Sequence, residues 1–203
     1  MKIRFIHIAA LAGWLGPIVL AITLVVLSIL EYDFMRSLRW HPITAPTTDW
    51  PSGLALGPLG GWMSATFVLS GLLIALFGAG LRQHLRHLQS PTRGATLLMW
   101  AGAAMAMLVL PTDPTYRNTP ATLAGNLHDL AYILLGLTLF PAMILLARTF
   151  GKIPLWQWHS RATWRILALA IPAFIFKGVL FYGFLIGVMA WFVLVAWRLR
   201  ATA

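Results

Sequence analysis

Cysteine is absent from the chain. That absence excludes disulfides, thiolate catalysis, iron–sulfur clusters and cysteine-held zinc together, and leaves the chain indifferent to the redox state of its compartment. Acid is scarce: 5 Asp and Glu stand against 15 Lys and Arg. Only 10% of the 203 residues are charged while 60% are hydrophobic. So little polar material cannot cover a water-soluble body of this size, and a bilayer is the solvent the composition requires. Familiar catalytic signatures are missing too. There is no glycine-rich phosphate loop, G-x-S-x-G elbow, H-E-x-x-H helix or Rossmann fingerprint.

What is present is a series of long apolar segments, near residues 9–30, 60–81, 94–110, 124–147 and 165–198. A hydrocarbon core about 30 Å thick needs roughly 20 helical residues, so four of these suit one span each. The last would run about 51 Å as one helix. It is therefore either a steeply tilted rod or two short spans turning near Lys177-Gly178. The start, with Lys2 and Arg4 ahead of an apolar run, resembles a secretory signal but is too long and lacks a small-residue cleavage site, so it is expected to be the first span, kinked at Pro17.

Charge chooses between the two readings of the last segment. With a cytoplasmic amino terminus, Lys2, Arg4, Arg82, Arg86, Arg93, Arg148, Lys152, Arg161 and Arg165 fall on the inner side, as positive-inside topology asks. Arg198 and Arg200 join them only if the last segment is a hairpin. Arg36, Arg39, Arg117 and Lys177 stay outside. The expectation is an all-α polytopic bundle of six spans, residues 1–203 forming one membrane-embedded domain, both termini cytoplasmic, in the cell's plasma or inner membrane. The net charge of +10 then reflects orientation and not nucleic-acid binding, because the cations sit at span ends and not in aromatic-laced patches.

Local signals refine this picture. Thr119-Pro120 reads as a helix start, threonine as cap and proline in the first turn. Gly71, Ala75 and Ala79, then Gly102 and Ala106, then Gly183 and Gly187, recur at helix-packing intervals and are expected to meet neighbouring helices. The only long connection, 31–59, is expected to lie across the outer surface, with Trp40, Trp50 and Trp62 in an interfacial belt.

The same topology collects the acid at the outer end: Glu31, Asp33, Asp49, Asp113 and Asp129. Of these, Asp33, Asp49, Asp113 and Asp129, with His41 and His128, form the best candidate site. Asp33, His41, Asp113 and His128 are candidate ligand-binding residues; Asp113, His128 and Asp129 are candidate catalytic ones. Carboxylates and imidazoles at one depth can bind a divalent ion or pass a proton between base and acid, although no spacing here is diagnostic and no metal site is assigned. Residues adjacent on a helix point about 100° apart, so His128 and Asp129 need help from another segment to share a ligand. The competing reading is that these residues decorate an aqueous interface, with Asp129 pairing with Arg117 or Lys177. His84 and His87 with Arg82 and Arg86 make a basic inner helix end suited to anionic lipid. Haem is disfavoured, since the histidines lie at span ends. No cofactor is indicated.

Two blocks carry a family resemblance. One is His41-Pro42-Ile43-Thr44 with Leu54-Ala55-Leu56-Gly57-Pro58-Leu59-Gly60 and a span ending Gly80-Leu81-Arg82. The other, more specific, is Leu110-Pro111-Thr112-Asp113-Pro114 followed by Gly125-Asn126-Leu127-His128-Asp129-Leu130. Through Phe150 the chain resembles the uncharacterised membrane proteins grouped as domain of unknown function 998. The resemblance implies a six-helix membrane domain without an established activity, and links Asp113 to His128. The chain departs from the family pattern in an insertion at 45–53, in Thr44 where a serine is usual, and in a shortened outer loop before the last helix.

The leading expectation is a non-enzymatic module binding lipid, a small ligand or a partner chain at its outer face, with membrane lipid and membrane-protein chains as candidate partners and no nucleic acid. The alternatives are a membrane-embedded hydrolase or metal-dependent enzyme at the outer leaflet, and an accessory subunit of a larger membrane complex.

Overall fold

The computed structural model describes residues 2–115 and 120–202, and among them it is helical, with a single isolated bridge between His41 and Ala45. Six long helices, α1 (Lys2–Leu30), α3 (Gly60–His87), α4 (Arg93–Met107), α5 (Leu123–Gly151), α6 (Gln157–Phe176) and α7 (Leu180–Ala201), follow one another, with a small helix, α2 (Tyr32–Ser37), in the 31–59 connection and a second longer connection, 108–122, between α4 and α5. Four of them, α1, α3, α5 and α7, are long and apolar enough to cross a bilayer. The chain is thus a helical membrane protein that contacts lipid. The other two fall short of that measure for local reasons. Helix α4 has 15 residues, and α6 begins Gln157, His159, Ser160, Arg161 and carries Arg165.

Helices extend past the apolar segments into the charged flanks. Helix α3 continues to His87 and α5 to Gly151, where cations complement the negative helix end. Helix α4 stops at Met107, earlier than the apolar run: Leu108, Val109 and Leu110 each donate to the residue three back, and Pro111 cannot continue the ladder. The long final segment divides as the charge pattern implies. Lys177, at a φ of 46°, ends α6 in the left-handed region, and α7 starts at Leu180. Lys177 forms no ion pair with Asp129. Helix α5 begins later than Thr119-Pro120 implies. Its cap is Thr122, whose hydroxyl accepts the Gly125 N–H at 3.0 Å, because that hydroxyl is also held by a carboxylate described below. Thr119 and Arg117 lie outside the described residues.

The six long helices close a ring: α1 packs on α3, α3 on α4, α4 on α5, α5 on α6, α6 on α7, and α7 on α1. Neighbours alternate in direction, which gathers helix ends bearing acid at one end and those bearing most of the basic residues at the other. Polar side chains stitch the ring where water cannot: Thr23 Oγ1 lies 3.0 Å from Thr66 Oγ1, Trp14 Nε1 donates to the Val193 carbonyl at 3.0 Å, Ser160 Oγ to that of Ala147 at 2.8 Å, and Trp191 Nε1 to Thr163 Oγ1 at 2.8 Å. Between α3 and α4 the contact is backbone on backbone. A Cβ on Gly71 would stand 2.5 Å from the Gly102 carbonyl oxygen, and one on Gly102 would stand 2.5 Å from the Gly71 carbonyl oxygen. This is the small-residue face the spacing announces. The same expectation fails for α7, where Gly183 faces open space and Gly187 makes only ordinary contact with Ile166.

Enlarging Gly102 therefore forces the two backbones apart. Gly102→Val is expected to cost about 1–3 kcal/mol of stability as overpacking, seen as a lower melting temperature in detergent, whereas Gly183→Ala should leave it within about 0.5 kcal/mol.

Candidate functional site

The 31–59 connection is a folded cap and not a strap along the surface. Met35, Leu38, Trp40 and Leu54 are buried. Two of the three tryptophans expected in an interfacial belt turn inward instead: Trp40 donates to the Pro46 carbonyl at 3.1 Å, and Trp50 packs edge-on against Tyr182 and donates to Ser28 Oγ at 3.0 Å. Trp62, at the start of α3, is 70% exposed and suits the rim. An indole with an unmet N–H is costly in an apolar setting, and the cap meets both of these.

The polar residues of this end fasten the cap to the ring. Glu31, 4% exposed, accepts the Leu59 N–H just ahead of α3. Thr47 Oγ1 donates to the Lys177 carbonyl at 3.3 Å, in the turn between α6 and α7. Asp49 accepts the N–H and the hydroxyl of Thr115 in the α4–α5 connection. Ser52, opening a short 3-10 turn (Ser52–Leu56), sits with its Oγ 2.9 Å from His128 Nε2 on α5.

His128 is 2% exposed, and both its nitrogens are engaged. Nδ1 lies 2.6 Å from the Leu110 carbonyl oxygen. A carbonyl only accepts, so Nδ1 bears the proton it donates there, and Nε2 shares a hydrogen bond with Ser52 Oγ. Asp113 does not touch His128. Its carboxylate accepts the Thr122 N–H at 2.7 Å and the Thr122 hydroxyl at 2.9 Å, and that hydroxyl caps α5 in turn. A side chain on Gly125 would run into the same carboxylate, so the glycine keeps the space it occupies. The negative charge sits over the positive end of α5, where it stabilises the first turn.

The other candidates stand apart. Asp33 on α2 and Asp129 on α5 are exposed, and His41, half-buried, contributes its backbone to the bridge with Ala45. Buried His128 beside exposed Asp129 is the divergence that helix geometry demands. Among the described residues no three His, Asp or Glu side chains are grouped to hold a metal ion. Ser52 and Glu31, which do the work of fastening, were not among the residues singled out by pattern.

The two blocks of the second resemblance meet here: the Leu110 carbonyl holds His128, and Asp113 lies against Gly125. A family model described as Protein of unknown function (DUF998) matches residues 33–198. The chain belongs to the DUF998 family. No curated protein and no solved structure matches it. In this DUF998 member Asp113 and His128 do not bond each other: Asp113 holds Thr122 at the start of α5, and His128 meets the Leu110 carbonyl and Ser52.

Beneath the cap the ring is apolar. A groove of about 430 Å³ runs between α1 and α7, roofed by Trp40, Pro42 and Trp50 and walled by Leu24, Leu185 and Ile186. A second, of about 490 Å³, lies between α5 and the α6–α7 pair, lined by Phe140, Phe174, Phe181 and Leu185. A smaller space of about 100 Å³ also touches Leu185, with Pro17, Met105 and Leu139.

Asp113→Ala is expected to cost about 0.5–2 kcal/mol through the lost cap. His128→Ala leaves the Leu110 carbonyl unpaired and should cost about 1–3 kcal/mol. Asp33→Ala and Asp129→Ala should fall within about 0.5 kcal/mol. Thermal unfolding in one detergent ranks all four, and a ranking with Asp129 first would contradict the fastening role.

Proposed function

We propose that the chain is a six-span, non-enzymatic membrane module whose outward half holds an apolar lipid chain under the 31–59 cap. The observation that carries this is the pair of apolar grooves flanking Leu185, of a size usual for small-molecule sites, about 300–1,000 Å³. Their walls are aliphatic and aromatic, and the Ser28 hydroxyl in the first already accepts from Trp50. An acyl chain suits such a groove because its whole surface is apolar and the groove faces the bilayer that supplies it. The cap supplies a roof at headgroup depth.

In this reading α4 and α6 also span, as members of the ring between longer neighbours, and the basic end with both termini is cytoplasmic, in the plasma or inner membrane. One domain accounts for the whole ring. The cysteine-free chain makes topology directly readable. Single cysteines at Gln89 and at Thr115 should label from opposite sides with a membrane-impermeant maleimide, and labelling from one side would end the six-span assignment.

A hydrolase reading draws on one observation, the Ser52–His128 hydrogen bond, which matches a nucleophile beside its base. Two features weigh against it: the third group on the imidazole is a backbone carbonyl, and the grooves described above are not lined by Ser52 or His128. A serine-directed fluorophosphonate should leave Ser52 unlabelled; labelling lost in Ser52→Ala would replace the present proposal with the enzyme.

The lipid proposal predicts that protein purified in mild detergent retains about one lipid per chain by native mass spectrometry. Ile186→Trp, which fills the groove from a side chain 66% exposed, should release it with little change in melting temperature. A bare chain, or equal retention in the variant, would count against the groove.

A further inference from the structure

The basic end holds a different kind of cavity. A pocket of about 670 Å³ opens between the end of α3, the 88–92 turn, the start of α4 and the end of α5, lined by Arg86, Arg93, Arg148 and Lys152. Cations from three helices thus face one concavity, and no carboxylate lines it. All 5 acidic residues of the chain lie in or beside the connections at the far end of the ring, so the protein has nothing at this end to neutralise the four charges. None of the four forms an ion pair with a described carboxylate.

Two further features aim the pocket at an anion with an apolar attachment. Thr92, Arg93 and Gly94 at the start of α4 form part of the wall, and Thr92 makes no side-chain capping bond there, so the first-turn amides of that helix have no side-chain acceptor. Leu145 forms part of the wall, beside the cations. Like charges held together repel, and a concave arrangement concentrates that field; a phosphate removes the repulsion and accepts the unsatisfied donors at once.

We infer that this pocket binds a phosphate group, supplied by the headgroup of an anionic phospholipid in the leaflet facing the basic end. The phosphate sits between Arg93 and Arg148 near the α4 amino terminus, and the glycerol and acyl portions pass over Leu145 towards hydrocarbon. Arg161 and Arg165, on α6 at the same end, lie outside the pocket and serve as the internal comparison.

The test uses the full chain in detergent, with phosphatidylglycerol and phosphatidylcholine added at equal concentrations and binding read by native mass spectrometry. It is repeated in Ile186→Trp so that lipid in the far groove is not counted. Phosphatidylglycerol should bind in preference. Arg93→Gln with Arg148→Gln should weaken it roughly thirtyfold, about fivefold per charge removed, and Lys152→Gln alone about fivefold. Arg161→Gln with Arg165→Gln should leave it unchanged. Competition by millimolar inorganic phosphate would keep the phosphate site but assign its ligand to the soluble pool. Equal binding of the two lipids, or equal loss in the Arg161/Arg165 pair, would overturn the inference.

Discussion

Hydrocarbon offers no hydrogen bonds, and almost everything in this structure follows from that. A backbone N–H or carbonyl left bare in the bilayer core costs several kcal/mol, so the chain between interfaces must be helix. Several polar side chains within the ring follow the same rule. Thr23 meets Thr66, Trp14 meets the Val193 carbonyl, and Trp191 meets Thr163, each bond joining neighbours in the ring. Where no polar pair is available, as between α3 and α4, close approach of Gly71 and Gly102 replaces it by dispersion.

The constraint also explains why helices were the legible part of the sequence. Apolar length and the positions of arginine and lysine carry the helix order, and even the break at Lys177 follows from asking where Arg198 and Arg200 must end. Boundaries were less legible. Helix α5 starts at Leu123 and not after Thr119 because Asp113, from another segment, holds Thr122; a cap made by a tertiary contact leaves no local signature. Glycines at helical spacing announced the α3–α4 contact but equally announced one at Gly183, where the structure has open space. Spacing marks a face that can pack closely, and the neighbour decides whether it does.

The polar end was half legible for the same reason. Residue type singles out Asp113 and His128, yet their partners, Thr122, Leu110 and Ser52, are invisible to it. Two of those bonds end on backbone atoms, and Ser52 lies 76 positions from His128. Tryptophans offered a similar trap. Composition places Trp40 and Trp50 in an interfacial belt, but Pro46 and Ser28 give their indole N–H groups partners beneath the surface, so they serve as roof.

The two ends of the ring consequently use charge in opposite ways. At the acidic end Glu31 is engaged through one oxygen on an amide, Asp49 on Thr115 and Asp113 on a helix start, while Asp33 and Asp129 stay exposed. What remains accessible below the cap is apolar, and an apolar chain can enter without disturbing a fastening. At the basic end no carboxylate lines the pocket of arginines and lysine, because the acidic residues lie at the opposite end of the ring. Surplus donors at one end and surplus apolar surface at the other are both complementary to lipid, the first to its phosphate and the second to its tail.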